Sequence, residues 1–474
     1  MNGIRQHVAN AFASDINERL CEYIAIPAKS PAFDPEWEKN GHIESAVRLL
    51  ERWAKARTIA GLEVEIVRLP GRTPVLVCTI PAFGLPADAN DDPVLLYGHF
   101  DKQPEMVGWD KSGPWEPRRD GDKLYGRGGA DDGYSTFAAL TAIEALQANG
   151  GSHQRLFVLI EGCEESGSYD LPAYVDHLAA RIGTPSLVIA LDSGAGDYER
   201  LWMTTSLRGM VAGTLEVQVL TQGVHSGDAS GIVPSSFRIA RHLLDRIEDA
   251  RTGRILLESF HQEIPSVRRA QAADQAKILG DALYTRFPWA GTTAPMGDPK
   301  DLAALALART WTPTLSVTGA DGLPAIGSAG NVLRPLTRLK LSLRLPPGVD
   351  GAAATAELKT VLEADPPYGS QVRFEPETPA DGWRAPAESE WLTRALQDAS
   401  AAYFGAPAAY LGEGGTIPFM AMLGEKFPKA EFMITGVLGP QSNAHGPNEF
   451  LHLPTAEKLT ASVADVLARH VKRT

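Results

Sequence analysis

The chain has 474 residues, more than one hydrophobic core ordinarily supports, so two domains are expected. Its 58 acidic residues against 45 basic ones leave a formal charge of −13, which argues against nucleic acid, a partner that demands a basic face. The three cysteines, Cys21, Cys78 and Cys163, are too few and too far apart for a disulfide framework, and no stretch reaches the ~20 apolar residues of a membrane span, so no membrane partner and a cytoplasmic location are expected.

Residues 1–20 mix charges with short apolar side chains, as in an amphipathic helix rather than a signal peptide. A second amphipathic helix is expected over 43–57. Apolar runs follow at 75–80, 94–97, 156–160 and 187–191, with a long helical stretch at 136–147. Continuous apolar strands alternating with helices predict an α/β domain whose sheet is covered on both faces.

Near residue 207 the pattern changes. Residues 214–220 and 338–345 alternate strictly: Leu339, Leu341, Leu343 and Leu345 share one face, and Arg338, Lys340, Ser342 and Arg344 the other. Period-2 alternation means a sheet covered on one side, and helices at 236–249 and 352–363 could cover it. Segment 287–313, rich in Pro, Gly and Trp, is expected to be irregular. After 381 the first pattern returns, with a helix at 390–402, an apolar run at 432–435 and a last helix at 455–471. The simplest organisation is an α/β domain (1–206 and 383–474) interrupted by an inserted α+β domain (207–382).

Polar clusters sit just beyond four of the apolar runs, where open α/β sheets place their sites. They are Gly98-His99-Phe100-Asp101, Glu161-Gly162-Cys163-Glu164-Glu165, Asp192-Ser193-Gly194 and Ser442-Asn443-Ala444-His445-Gly446-Pro447-Asn448-Glu449. A fifth, Gly126-Arg127-Gly128-Gly129-Ala130-Asp131-Asp132-Gly133, precedes the long helix. Taken singly, each is ordinary: strand-end carboxylates cap helices, and an Asp pair before a helix is a usual N-terminus. Together, two imidazoles and several carboxylates at one sheet edge form a nitrogen/oxygen donor set suited to zinc, manganese or cobalt.

These five motifs, in this order, resemble those of the di-zinc metallopeptidase family of carnosinases, cytosolic non-specific dipeptidases and peptidase V, with desuccinylases and carboxypeptidase-G-type enzymes as more distant relatives. The resemblance spans nearly the whole chain. It implies two divalent metal ions, zinc before manganese or cobalt. His99 and Asp192 would bind one ion, Glu165 and His445 the other, and Asp131 would bridge them. Asp101 would orient His99, and Glu164 would serve as general base. The inserted domain would be a lid and dimerisation domain, making the protein a homodimer. His225, in Gly223-Val224-His225-Ser226-Gly227, would reach the partner's site to stabilise the oxyanion. Without the resemblance it is a polar turn residue. Asn331, Arg344, Gly415 and Thr416 would contact a small peptide or amide substrate.

Two departures stand out. The family's Asp-Asp-Lys-Gly is Asp131-Asp132-Gly133-Tyr134 here. The arginine that precedes Glu-Gly-Gly in carnosinase-type enzymes is Gly412 here, removing a bidentate carboxylate partner. The expected activity is hydrolysis of a peptide bond in dipeptides or short peptides, and the Gly412 departure keeps an amidase or deacylase of N-acyl amino acids or another small amide as the nearest rival. A non-catalytic binding protein and a phosphoesterase rank below both.

Overall fold

A computed structural model describes residues 2–86 and 90–473. The chain divides into two compact units: Met1–Thr205 with Ala385–Leu411 and Met422–Thr474, and Ser206–Arg384 with Gly412–Ala421.

The first unit is built on a six-stranded mixed sheet. Its order is Glu63–Val67, Val75–Ile80, Leu156–Glu161, Val94–His99, Leu187–Ala190, Glu431–Ile434. The last four strands are parallel to one another; Val75–Ile80 joins them antiparallel and Glu63–Val67 pairs antiparallel with it at the edge. Every residue of Val94–His99, Leu156–Glu161 and Leu187–Ala190 is buried, which is why these strands read as unbroken apolar runs rather than alternating ones. The helices Asn2–Ala11, Tyr134–Ala148, Glu390–Tyr403 and Leu453–His470 pack together in one apolar core with the sheet. Twelve of the fifteen residues of Tyr134–Ala148 are buried, so it lacks the polar face of a surface helix. This is the α/β fold expected from the sequence.

The second unit holds a four-stranded antiparallel sheet in the order Thr314–Asp321, Leu336–Leu345, Gly209–Gln218, Gln371–Pro376. Leu339, Leu341, Leu343 and Leu345 are buried against the helices Ser236–Leu244 and Gly351–Glu363. The period-2 pattern therefore identified the covered face correctly.

Two local expectations need correction. The helix expected over 236–249 stops at Leu244. A short hairpin follows, because the Asp249 carboxylate accepts the N–H groups of Arg251 and Thr252 and Gly253 supplies φ +71°. The stretch 287–313 is not irregular throughout: Leu302–Trp311 is a helix, N-capped by Asp301, whose carboxylate accepts the Ala304 N–H at 3.0 Å. The Pro/Gly/Trp content upstream obscured an Asp followed by a run of Ala and Leu.

Candidate metal centre

The parallel strands aim their ends at one place. His99 is the last residue of its strand, in register with Glu161 on the neighbouring strand. Asp192 follows the Leu187–Ala190 strand, and Asp131 lies at the start of the long buried helix.

The Asp131 carboxylate faces two imidazoles with different oxygens. Its Oδ1 is 3.3 Å from His99 Nε2, and its Oδ2 is 3.1 Å from His445 Nε2. Asp192 Oδ2 is 3.8 Å from His99 Nε2, and Glu165 Oε2 is 3.4 Å from His445 Nε2. Two donor sets result, His99–Asp131–Asp192 and Asp131–Glu165–His445, each with its ligand atoms within 4.8 Å of one another. Glu164 belongs to neither set, yet its Oε2 lies 4.0 Å from His99 Nε2.

The surroundings fix these groups. His99 is fully buried, and its Nδ1 faces the Asp101 backbone carbonyl at 3.1 Å and the Asp101 carboxylate at 3.5 Å. That leaves Nε2 directed at Asp131 and Asp192. The Asp101 carboxylate also accepts the N–H groups of Glu164 and Glu165 at 3.1 and 3.0 Å, so it orients the glutamate turn as well as the imidazole. Asp132 Oδ2 accepts the His99 N–H at 3.1 Å, and Gln103 donates to Glu165 Oε2 at 2.6 Å.

Charge is badly balanced here without a cation. Burial opposes the charged form of His99, but Asp101, Asp131 and Asp192 together outweigh it and hold its pKa well above the ordinary imidazole value. Burial, then repulsion from Asp192, Asp101 and Asp131, pushes Glu164 well above the carboxylate range. Burial, Asp131 and Glu164 do the same to Glu165. Among the described residues, no lysine or arginine ion-pairs with Asp131, Glu164 or Glu165; histidine alone does. A buried cluster of acids with imidazole nitrogens and no fixed cation is what divalent ions neutralise.

Beneath the cluster, Glu161 is buried, accepts the hydroxyls of Tyr97 and Ser168 at 2.6 and 2.8 Å, and is pushed up to about 8, chiefly by burial. Between pH 4.5 and 8 the folded state holds a proton there that the unfolded state releases, so stability falls as pH rises through this window. Glu161→Gln keeps an acceptor for both hydroxyls. Urea unfolding of the metal-free protein is expected to show no difference at pH 4.5 and a variant more stable by about 4 kcal/mol near pH 8. Parallel stability–pH curves would refute this.

Sequence reasoning missed two site residues. Arg127 and Glu449 are buried and paired at 2.7 Å. Glu449 accepts the N–H groups of Gly128, Ala130 and Asp131, and Arg127 donates to the carbonyls of His445 and Gly446. Both lie inside flagged motifs, but no local pattern shows that they meet.

The first departure has a steric cause. A Cβ at Gly133 would fall 2.0 Å from Tyr23 Cε1 and 2.6 Å from the Gly128 carbonyl, so no lysine fits. Lys102 fills the neighbourhood instead. Its buried ammonium lies 4.0 Å over the Tyr23 ring and donates to the carbonyls of Tyr23, Ile24 and Ile26. Tyr134, next in the motif, donates its hydroxyl to the Leu191 carbonyl beside Asp192.

The other predicted residues lie in the second unit, in two groups. His225 pairs with Val332 in a short ribbon, where Ser226 N–H donates to the Asn331 carbonyl, so His225 and Asn331 are neighbours; both are exposed. Arg344 donates to Thr416 Oγ1 at 2.9 Å, Thr416 donates to the Arg208 carbonyl, and the Gly415 carbonyl accepts the Arg208 N–H. At Gly412 a Cβ would lie 2.6 Å from Ser206 Oγ and 2.9 Å from Thr310 Cβ, leaving no space for an arginine. Arg208 and Arg309 instead donate to the carbonyls of Gly414 and Gly412. Burial, then repulsion from Arg344 and Arg309, pushes Arg208 down to about 10.

An α/β unit with two such donor sets offers candidate places for divalent ions. The chain belongs to peptidase family M20/M25/M40, whose pattern matches residues 95–469. It is an enzyme of the metallopeptidase class, whose members use divalent metals. It is 27% identical over 401 residues to a cysteinylglycine-S-conjugate dipeptidase of Corynebacterium striatum, covering 82% of this chain and 84% of that one. Its fold matches the dipeptidase Dug1p of Saccharomyces cerevisiae (TM-score 0.75, 20% identity, covering 100% of this chain and 98% of that one). It also matches human carnosine dipeptidase 1 (TM-score 0.74, 20% identity, covering 99% and 98%). Among the described residues, no helix is long and apolar enough to cross a membrane.

Proposed function

We propose that the protein is a two-metal dipeptidase. The observation that carries this reading is the Asp131 carboxylate, whose two oxygens face His99 and His445 from a position shared by two donor sets. His99 and Asp192 would hold one ion, Glu165 and His445 the other, and Asp131 both. The nitrogen/oxygen donors suit zinc, with manganese or cobalt as substitutes.

When bound, two divalent ions polarise the scissile carbonyl and acidify a water molecule. The protein's own groups do the rest. Glu164 takes the proton of the attacking water on its carboxylate and returns it to the departing nitrogen, so that an amine leaves. Asp101 holds the His99 ring with Nε2 facing the site and keeps Glu164 and Glu165 in a fixed turn. His225, supplied by the second copy of a homodimer, donates to the carbonyl oxygen as charge develops there.

Arg344, Gly415 and Thr416, with Arg208 and Arg309 nearby, present cationic groups and a loop entering the helix Pro418–Lys426, a setting for a substrate carboxylate; Asn331 would contact the substrate beside His225. A carboxylate is common to dipeptides and N-acyl amino acids, so this setting serves either, and the deacylase stands as second reading. The names of the relatives favour the dipeptide. The three free cysteines support a reducing, cytoplasmic setting.

A panel of unblocked dipeptides, their N-acetyl counterparts and dipeptide amides, assayed on zinc-reconstituted protein, tests this reading. We expect kcat/KM to be highest for unblocked dipeptides and to fall at least tenfold for the amides. Preference for the N-acetyl compounds would establish the deacylase instead.

A further inference from the structure

The loop that carries His445 is strained. Gln441, Asn443, His445 and Asn448 all have positive φ, at 65°, 57°, 64° and 60°. Such backbone persists only where surrounding contacts over-determine it. Asn448 Oδ1 accepts the N–H groups of Asp110 and Lys111 at 3.0 Å, and Asn443 donates to the Pro447 carbonyl. The backbone carbonyls of His445 and Gly446 are held by Arg127, whose Nη2 donates to them at 3.1 and 2.8 Å.

Arg127 is held in turn by Glu449, at the far end of the same loop. Its Nη1 donates to Glu449 Oε2 at 2.7 Å, while Glu449 Oε1 accepts Gly128, Ala130 and Asp131 N–H at 3.0, 3.3 and 3.3 Å. The pair therefore clamps the two segments that present Asp131 and His445 to one another. It is 1% and 0% exposed, so solvent cannot substitute for either partner. His99 ends a central strand and is fixed by Asp101 and Asp132, and Asp192 follows the adjacent strand, so the sheet itself positions them.

We infer that Arg127 and Glu449 are positioning residues for the His445 side of the site: the loop they hold carries a ligand of the Asp131–Glu165–His445 set alone, whereas His99 and Asp192 stand at the ends of sheet strands. The inference rests on the two-metal reading. A purely structural ion pair would instead affect both donor sets alike, through general loosening of the fold.

Stepwise zinc titration of metal-free protein against a competing chelator tests it, followed by anomalous diffraction at the zinc edge to locate retained ions. The wild type is expected to bind two ions. Glu449→Gln keeps the shape but loses one oxygen acceptor, and Arg127→Lys keeps the charge but cannot reach Glu449 and both carbonyls together. In each, the weaker step is expected to lose 10- to 100-fold in affinity, with the other step changed by less than about threefold and zinc lost beside His445. The double variant R127M/E449L leaves no buried charge unpaired and should show the same selective loss, with metal-free thermal unfolding followed alongside to confirm that it still folds cooperatively. Equal weakening of both steps, no weakening, or zinc lost beside His99 and Asp192 would overturn the inference. A wild type that binds fewer than two ions would overturn the metal reading itself, before any variant is made.

Discussion

Glu164→Gln is expected to lower kcat on a cleavable dipeptide by about three to four orders of magnitude while leaving two metal ions bound. The geometry separates the two consequences. Glu164 lies in neither donor set, so an amide there removes no ligand, and its backbone N–H remains anchored on Asp101 at 3.1 Å. What is lost is a carboxylate beside the donor sets, one that can accept the proton of the attacking water and give it back to a leaving nitrogen. The adjacent Glu165 provides the contrast. It faces His445 at 3.4 Å and is held by Gln103, so Glu165→Gln is expected to lose metal as well as turnover. Metal analysis by mass spectrometry on the samples used for kinetics distinguishes them. A Glu164→Gln enzyme within tenfold of wild type, or one that has lost an ion, would remove Glu164 from the role of base.

Much of this architecture is legible in the sequence because buried parallel strands leave a coarse signature. The runs at 94–97, 156–160 and 187–191 are apolar on both faces, and the first polar residues beyond them necessarily emerge at the sheet edge. In the second unit, the alternation of Leu339 to Leu345 is equally direct, since a one-sided sheet permits only one assignment of faces. The helix Leu302–Trp311 was missed for a different reason. Its signals, an Asp cap and an Ala/Leu run, are local, whereas the expectation for 287–313 averaged over a longer stretch dominated by helix breakers.

The site was legible as a set of residues but not as an arrangement. Sequence order cannot say that the two Asp131 oxygens face different imidazoles, or that Asp101 serves the glutamate turn as well as His99. Arg127 and Glu449 are separated by 322 residues, and each alone resembles a solvated surface charge. Only the fold shows that both are buried and satisfied by one another. The same holds for Gly133. The absent lysine is visible in the motif, but its cause, the Tyr23 ring against the backbone, depends on a residue more than a hundred positions earlier.

Asp131→Asn is expected to reduce the bound metal from two ions to one and to lower kcat by roughly a thousandfold or more, the equivalent of losing several kcal/mol of charge stabilisation. The carboxylate offers one oxygen to each donor set; the amide has a single oxygen and an NH2 group, which cannot ligate. The oxygen should turn toward His99, whose set is completed by Asp192 and fixed by strand ends. The other set is then left with Glu165 and His445, an exposed imidazole on a loop with four left-handed residues. Two protein ligands are fewer than catalytic zinc sites ordinarily use. Asp132→Asn is the matched comparison: it changes the neighbouring carboxylate, whose Oδ2 accepts the His99 N–H, without removing a member of either donor set. It should retain both ions. Retention of two tightly bound ions by Asp131→Asn would show that Asp131 is not shared, and a one-ion mechanism centred on His99 and Asp192 would then have to account for hydrolysis.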